Sequence, residues 1–413
     1  MADMAWIDAA LVSARPQAVA ALLRYFRDLD LAEEAFQDAC LRALKNWPGN
    51  GPPRDPAAWL IMVGRNAAID VTRRRAKQAP LPDEDQLSDL SDTEAEVVQK
   101  LDEADYRDDV LRLLFICCHP DLPQIQQIAL ALRIVSGLSV KQIARAFLVG
   151  ESAMEQRITR AKGKVAGAGV PFEAPDAVER GERLAAVAAM IYLVFNEGYS
   201  AGSDNDERAA FCDEAIRLAR LLLRMYPAEP EIMGLLALML LQHSRIAARY
   251  DKAGNAILLE DQDRSQWKRA PMQEGLALIE KGMRLRRPGP YQIQAAIAGV
   301  HAHASVASET DWVEIEGLYR ALEVHTPSPV VTLNRSVALS KTEGPEAALA
   351  LIDPLADRLD GYFYFHGVRG SYLKELGRSK EAREAFNRAI ALANTPSEAA
   401  HIRQHLDSLS AHK

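Results

Sequence analysis

Apolar residues recur at helical spacing in every long segment of this chain, and no segment of comparable length alternates as a strand does. The pattern is clearest over Ala185–Phe195, Ala209–Met225, Glu231–Ser244, Gln273–Arg286, Ile293–Ser305, Val313–His325 and Val330–Ser340. Aromatic residues make up only 6% of the chain, against 48% hydrophobic overall. That mix favours packed helices over a β-sandwich or barrel. The prediction is an all-α protein. At roughly 150 residues per domain, its 413 residues suggest two to four domains.

Charge and turn residues divide the chain. The net charge of −8 is a sum over unlike parts. Residues 79–109 carry 12 acidic and 2 basic residues, whereas 110–168 carry 3 acidic and 8 basic and 1–78 carry 9 and 11. A low average isoelectric point therefore does not exclude nucleic acid, because two mildly basic segments flank a strongly acidic one. The acidic stretch opens at Ala79-Pro80-Leu81-Pro82, which gives a core little to bury. Gly167-Ala168-Gly169-Val170-Pro171 marks the next boundary. The expected division is a first domain over 1–78, an acidic linker over 79–109, a second domain over 110–168, a helical extension over 169–325 and repeats over 326–413.

Several function classes find no support. Four cysteines without a C-x-x-C pair make no disulfide framework and no structural zinc site. Cys117-Cys118-His119 reads as helix packing followed by a turn. No apolar run approaches the ~20 residues of a membrane span. Met1–Arg15 lacks the basic and apolar regions of a signal peptide. A soluble, cytoplasmic protein without membrane contact is expected, and neither a cofactor nor a metal.

The first segment reads as four helices: Met4–Ser13, Pro16–Arg27, Leu31–Asn46 with Asp30 as the N-cap candidate, and one opened by Asp55-Pro56 that runs to Lys77. Pro48-Gly49-Asn50-Gly51-Pro52-Pro53 predicts a loop between the last two. The final helix is apolar at its start and cationic at its end, Arg73-Arg74-Arg75. Such an end suits either the helix macrodipole or phosphates.

The second segment carries a helix-turn-helix pattern. Ser139 caps a short helix with Val140, Ile143, Ala144 and Phe147 on one face, Gly150 supports the turn, and a second helix starts at Glu151 or Ser152 with Met154 and Ile158 inward. By position, Ser152, Ala153, Glu155, Gln156 and Arg157 are candidates for base edges. Arg160, Lys162 and Lys164 are candidates for phosphates. Glu155 and Gln156 read equally well as solvated residues.

Beyond residue 168, Ser336–Ala348 aligns with Ser371–Arg383 at a spacing of 35, close to the 34-residue tetratricopeptide (TPR) period. Gly370, Leu373, Gly377, Ala382, Phe386 and Ala389 fall where such repeats alternate small and large packing residues. Within Arg249–Trp267, Asp251-Lys252-Ala253-Gly254-Asn255 predicts a turn between two short extended stretches; Glu260, Asp261 and Asp263 lack the spacing of an EF-hand cation site and read as helix caps or partners of Arg264. Asn196–Tyr199 predicts a structured turn. His301 and His303 stand two apart and cannot share a helix face.

The string Trp59-Leu60, Arg65-Asn66, Ala68-Ile69-Asp70, Arg73-Arg74-Arg75 resembles the promoter-melting helix of extracytoplasmic-function (ECF) sigma factors in the sigma-70 superfamily. Asp30–Ala39 is similar to the helix by which these factors grip RNA polymerase, and Ala43–Pro48 to the approach to their base-capturing loop. Arg157-Ile158, Arg160-Ala161-Lys162 resembles the tail of their promoter-reading domain. The whole chain is similar to a subgroup with a long helical extension ending in TPR-like repeats.

The resemblance implies two small helical sigma domains joined by a linker and followed by an all-α, TPR-like extension. It implies polymerase contacts, on the β′ clamp and β flap, from Asp30, Leu31, Glu34, Ala35, Phe36 and Asp38. It implies contacts with the −10 element from Asn46, Trp47, Arg65, Asn66, Arg73, Arg74 and Arg75. Contacts with the −35 element fall to Ser152, Ala153, Glu155, Gln156, Arg157, Arg160 and Lys162. A flipped base costs a few kcal/mol, which a pocket and cationic backbone contacts offset. Loop Asn46–Arg54 and Asn66 could line that pocket, while Trp59 reads as core. The extension would regulate or support initiation, with a small YCII-like protein or another protein as its partner.

Two other classes compete. A one-component DNA-binding regulator with a sensing TPR-like domain needs the helix-turn-helix but has no role for the Leu31–Arg75 string. An enzyme in the extension lacks a phosphate loop, a nucleophile elbow and a metal dyad.

Overall fold

The computed structural model describes residues 5–51, 53–77, 103–147, 149–167, 177–200, 206–251, 257–393 and 396–409, and the side chains of 5, 50, 68–77, 103–108, 206–208 and 396–397 are not among them. The described residues are helical, with no strand. They form two compact units, Met1–Val194 and Phe195–Lys413.

The first unit begins with α1 (Ala5–Phe26), α2 (Leu29–Asn50) and α3 (Pro56–Lys77), which pack mutually. Ile7, Val19, Leu22, Phe36, Trp47, Leu60 and Val63 fill the space between them. Two expected breaks are absent. The pair of helices expected over residues 4–27 is one helix with Pro16 inside it, and α2 runs through Pro48. Each proline forfeits one bond to the carbonyl four residues earlier. Those carbonyls belong to Val12 and Leu44, which are 44% and 38% exposed, so both prolines sit on turns that face outward. The N-cap of α2 is Asp28, not Asp30: its carboxylate accepts from the backbone N–H of Asp30 at 2.9 Å and of Leu31 at 3.0 Å. The helix ends at Gly51, whose φ of 76° stops it. Asp55 caps α3 as expected, accepting from Ala57 and Ala58.

Next come α4 (Glu103–Cys117), which packs on α1, then α5 (Gln124–Ile134), α6 (Val140–Ala146) and α7 (Glu151–Gly167). Cys117 and Cys118 are buried at the end of α4, where Cys118 Sγ donates to the Phe115 carbonyl. Ser139 makes a complete capping box with Gln142 at the start of α6. Met154, Ile158, Ala161 and Val165 form the buried stripe of α7.

Helix α8 (Ala177–Tyr199) begins in the first unit and ends in the second. The turn expected at Asn196–Tyr199 is its last helical turn. There Arg249 covers the Tyr199 ring at 3.6 Å from its centroid and donates to the Tyr199 carbonyl.

The second unit continues with α9 (Asp206–Met225), α10 (Pro230–Ser244), α11 (Arg269–Met283) and α12 (Pro290–His303). Helix α10 is apolar all round, and its neighbours α9, α11 and α12 enclose it. At 15 residues it is too short to span a bilayer; no described helix is long and apolar enough to do so.

Helices α13 (Trp312–His325), α14 (Pro329–Thr342) and α15 (Pro345–Ile352) follow, then the short α16 (Ala356–Leu359), α17 (Phe363–Glu375), α18 (Ser379–Leu392) and α19 (Pro396–Ser408). The two aligned segments, Ser336–Ala348 and Ser371–Arg383, fall on the pairs α14–α15 and α17–α18. Gly370 of α17 lies against Phe386 of α18 so closely that a Cβ there would stand 2.6 Å from the ring. The small and large residues thus interlock as the repeat pattern predicted.

Candidate nucleic-acid interface

Two surfaces of the first unit carry the residues singled out in the sequence. The first is on α2 and α3. Asn46 is exposed near the end of α2, and Arg65 and Asn66 are exposed midway along α3. The Arg65 guanidinium stacks on the Tyr25 ring, 4.5 Å from its centroid, which fixes its direction. Tyr25 itself is 49% exposed. The side chains of Arg73, Arg74 and Arg75 lie outside the described residues, although their backbone continues the same helix.

Trp47 is not on this surface. It is 2% exposed, stacked on Trp6 with centroids 6.1 Å apart and edge-on to Trp59 at 5.3 Å. The continuation of α2 past Pro48 turns the indole inward, so its expected contact with DNA is replaced by a place in the core. Trp59 joins it there, as expected.

The candidate polymerase face on α2 divides in the same way. Asp30, Leu31 and Glu34 are exposed and Asp38 is half-buried. Ala35 and Phe36 are each 2% exposed, and Phe36 lies beneath the Arg15 guanidinium, 4.9 Å from ring centroid to Cζ. Successive helical residues are 100° apart, so a string of ten cannot all face one partner. Ala35 and Phe36 shape the face from behind.

The second surface is α7. Ser152, Ala153, Glu155, Gln156 and Arg160 are exposed along one side, and Arg157 is half-buried beside Ile158. Lys164 donates to the Asp121 carbonyl at 2.5 Å. Lys162 is engaged differently from the expectation of a free phosphate contact. Its ammonium meets Asp30 Oδ1 at 2.7 Å and Glu33 Oε2. Burial works against the charged form of Lys162, but the hydrogen bonds it donates to the Asp30 and Glu33 carboxylates, with their negative charges, outweigh it and raise its pKa.

The sequence reading missed two residues here, Arg15 and Glu33. Glu33 is 4% exposed and bonds to both Lys162 and the Arg15 guanidinium. Arg15 also donates through Nε to the Ile134 carbonyl at 2.8 Å and through Nη2 to that of Arg133 at 3.2 Å. A signal for Glu33 existed: it shares a helix face with Phe36 and Cys40, three and seven positions on, and a carboxylate on a buried face requires a partner.

In the second unit, Arg264 does not pair with Glu260, Asp261 or Asp263. It donates to the carbonyls of His301 and Ala304, both at 2.6 Å, and to Thr310 Oγ1 at 3.2 Å. Asp263 caps a short turn through Ser265, and Glu260 pairs with Lys341 at 3.0 Å. The turn centred on 252–256 lies outside the described residues. Just beside it, the Ile257 N–H donates to the Arg249 carbonyl.

Residues 11–78 match sigma-70 region 2, residues 112–165 match sigma-70 region 4, and residues 183–283 match a family of unknown function, DUF6596. The chain is 69% identical over 412 residues to an uncharacterized protein of Rhizobium meliloti (strain 1021), an alignment covering 100% of this chain and 97% of that protein. No solved structure matches it. With both sigma regions in order inside one helical unit, the chain belongs to the sigma-70 family, whose members recognise promoters as non-catalytic initiation factors, and it adds a long C-terminal extension.

Proposed function

We propose that this chain is an ECF-type sigma factor that binds core RNA polymerase, directs it to promoters and melts them, with the extension regulating or supporting that activity. The observation that carries this reading is the pairing of two surfaces in one unit. Exposed Arg65 and Asn66 lie on the helix that ends in Arg73-Arg74-Arg75, and a capped helix-turn-helix presents Ser152, Ala153, Glu155 and Gln156. A DNA-binding regulator acting alone would use only the second surface.

On this reading the exposed part of α2, Asp30, Leu31 and Glu34, meets the polymerase β′ clamp, and the region 4 domain meets the β flap. Arg65 and the arginines at the end of α3 hold backbone phosphates of the −10 element. Asn46 and Asn66 offer amides to an extruded base. Residues on α7 read the −35 element in the major groove. The extension binds a protein partner, such as a small YCII-like protein, through its helical repeats.

Run-off transcription with purified core polymerase over a promoter library tests the reading. Promoter-specific transcripts that require both core and this chain are expected. Specific DNA binding without core, and no transcripts with it, would point instead to a one-component regulator.

A further inference from the structure

Tyr25 lies outside every string that resembles a sigma-factor motif, yet it stands beside Arg65 on the surface assigned to the −10 element. It is in the last turn of α1 and is 49% exposed. A single exposed aromatic is ordinary on a protein surface. Three features make this one a built platform.

The first is the approach of α3. A Cβ at Gly64 would stand 2.8 Å from the Ala35 carbonyl oxygen of α2 and 3.3 Å from Leu22 Cδ1 of α1. The missing side chain lets α3 close on both helices, one residue before Arg65. Leu22 is one turn before Tyr25 on the same face of α1, so the close approach also brings Arg65 to the Tyr25 ring. The second is how the pair is held. The guanidinium lies over the ring at 4.5 Å from its centroid, and Phe26 stands edge-on to that ring at 4.9 Å and 88°. No carboxylate among the described residues pairs with Arg65, so its charge is oriented but not neutralised. The third is the turn. Arg27 has a φ of 55°, a left-handed conformation that a residue with a β-carbon rarely adopts. It ends α1 directly after Phe26, and the chain that follows leaves the ring half in water.

From this geometry we infer that Tyr25, with Arg65 stacked on it, is a platform on which one unpaired promoter base stacks when the strands separate. This role rests on the sigma-factor reading for the DNA that is opened. A base that leaves the duplex loses the flat apolar neighbours on its two faces. A phenol ring or a guanidinium plane replaces such a neighbour whatever the base is, because every base has a π-face. The cation beside the ring suits the phosphate next to that base. Base identity is then left to the amides of Asn46 and Asn66, and Tyr25 contributes capture of the open strand.

The test uses holoenzyme assembled from the full chain and purified core polymerase. The DNA is a fork built on a promoter recovered from the run-off library, with the −10 non-template strand left single. Y25A should weaken fork binding by about 10-fold, the size expected when one stacked base loses its aromatic neighbour. Its binding to core, and to a duplex carrying only the −35 element, should stay at the wild-type level. Y25W should keep most of the fork affinity. Y25L, which is apolar but not planar, should fall with Y25A. Abasic nucleotides placed one at a time through the −10 strand then locate the base. At one position the wild type should drop to the level of Y25A, and Y25A should lose nothing further.

Fork binding by Y25A equal to the wild type overturns the inference and leaves the sigma-factor reading standing. So does Y25L matching Y25W, or a set of abasic losses that all add to the loss from Y25A. The ring is half-exposed, so wild-type helical circular dichroism is expected in each variant. If Y25A alone loses it, Y25L against Y25W decides, because both keep a large side chain. If the wild-type chain binds neither core nor fork, the sigma-factor reading fails and the platform fails with it.

Discussion

In the first unit, α2, α3 and α6 are closed by residues beside them in sequence: Asp28, Asp55 and Ser139 each accept from the N–H groups of the turn that follows. In the second unit, α12 is closed from a distance at both ends. The Glu231 carboxylate of α10 accepts from the N–H groups of Tyr291 and Gln292 at 3.0 and 3.1 Å. Arg264 donates to the carbonyls of His301 and Ala304 at the other end. Helices that cap themselves keep their ends satisfied wherever their module goes. A helix whose caps come from other segments is stable only while those segments stay in place. Both kinds occur in the second unit, where Asp311 and Ser328 cap α13 and α14 locally. In the first unit Arg15 is a remote cap on α5, reaching the carbonyls of Arg133 and Ile134 from more than a hundred residues away.

The largest expected effect comes from breaking a remote cap. R264A should destabilise the second unit by about 2–4 kcal/mol, because three acceptors lose a charged donor and two of them end a helix. R264K should recover little, since one ammonium cannot reproduce the planar fork that reaches both carbonyls and Thr310. Urea denaturation followed through the second unit checks both. Glu231 sits at the other end of a 14-residue helix, about 20 Å away at 1.5 Å per residue. The effects of E231Q and R264A should therefore add to within about 0.5 kcal/mol. A larger coupling would mean that the ends of α12 are not independently held.

The same junction predicts a pH dependence. His301 lies edge-on to Trp312, and burial, with Arg245 and Arg264 nearby, pushes it down to about 4 from 6.5. The unfolded chain takes up that proton near pH 6.5 and the folded chain only near 4, so stability falls as pH drops between those values and levels off below. The loss is on the order of 2–3 kcal/mol. H301F should flatten that part of the curve, read as the difference between wild-type and variant denaturation midpoints at pH 7.5 and 4.5. An unchanged slope would show that His301 is not the group titrating.

A local cap should matter less and elsewhere. S139A removes the capping box of α6 and should cost the first unit about 1 kcal/mol, with no change in the second. Hydrogen exchange in α6 and α7 measures it. A loss comparable to that of R264A would erase the distinction between the two kinds of cap.

The same distinction explains what the sequence could show. Asp55-Pro56 and Ser139 were legible because a local cap is written within four residues of the helix it serves. The helix-turn-helix and the interlock of Gly370 with Phe386 were legible for a similar reason, since periodicity and repeat spacing are local. The partners of Glu33 and Arg264 were not, because they lie 18 to 129 and 37 to 46 residues away and no spacing rule connects them. Phe36 and Trp47 were misplaced because a motif string lists residues in order, whereas a helix sends every third or fourth to the same side. The run through Pro48 was missed because a proline near a helix end forfeits only a single backbone bond.

The smallest expected effect separates remote caps from remote ion pairs. Lys341 reaches Glu260, 81 residues away in sequence, and lies over the Trp312 ring at 5.9 Å. It resembles Arg264 in range but not in environment, since the Lys341 and Glu260 side chains are 42% and 49% exposed. Water competes for both charges, so K341Q should cost at most about 0.5–1 kcal/mol. That loss should shrink in high salt, because exposed pairs are screened beyond about a Debye length, ~3 Å at 1 M. The cost of R264A should persist in the same salt, because its partners are carbonyls at the end of a helix. If both losses respond equally to salt, long-range reach alone sets the energetics and the desolvated cap has no special place. If only the K341Q loss is salt-sensitive, the second unit is held by hydrogen-bonded helix ends, with its surface charges serving mainly to keep the helices in solution.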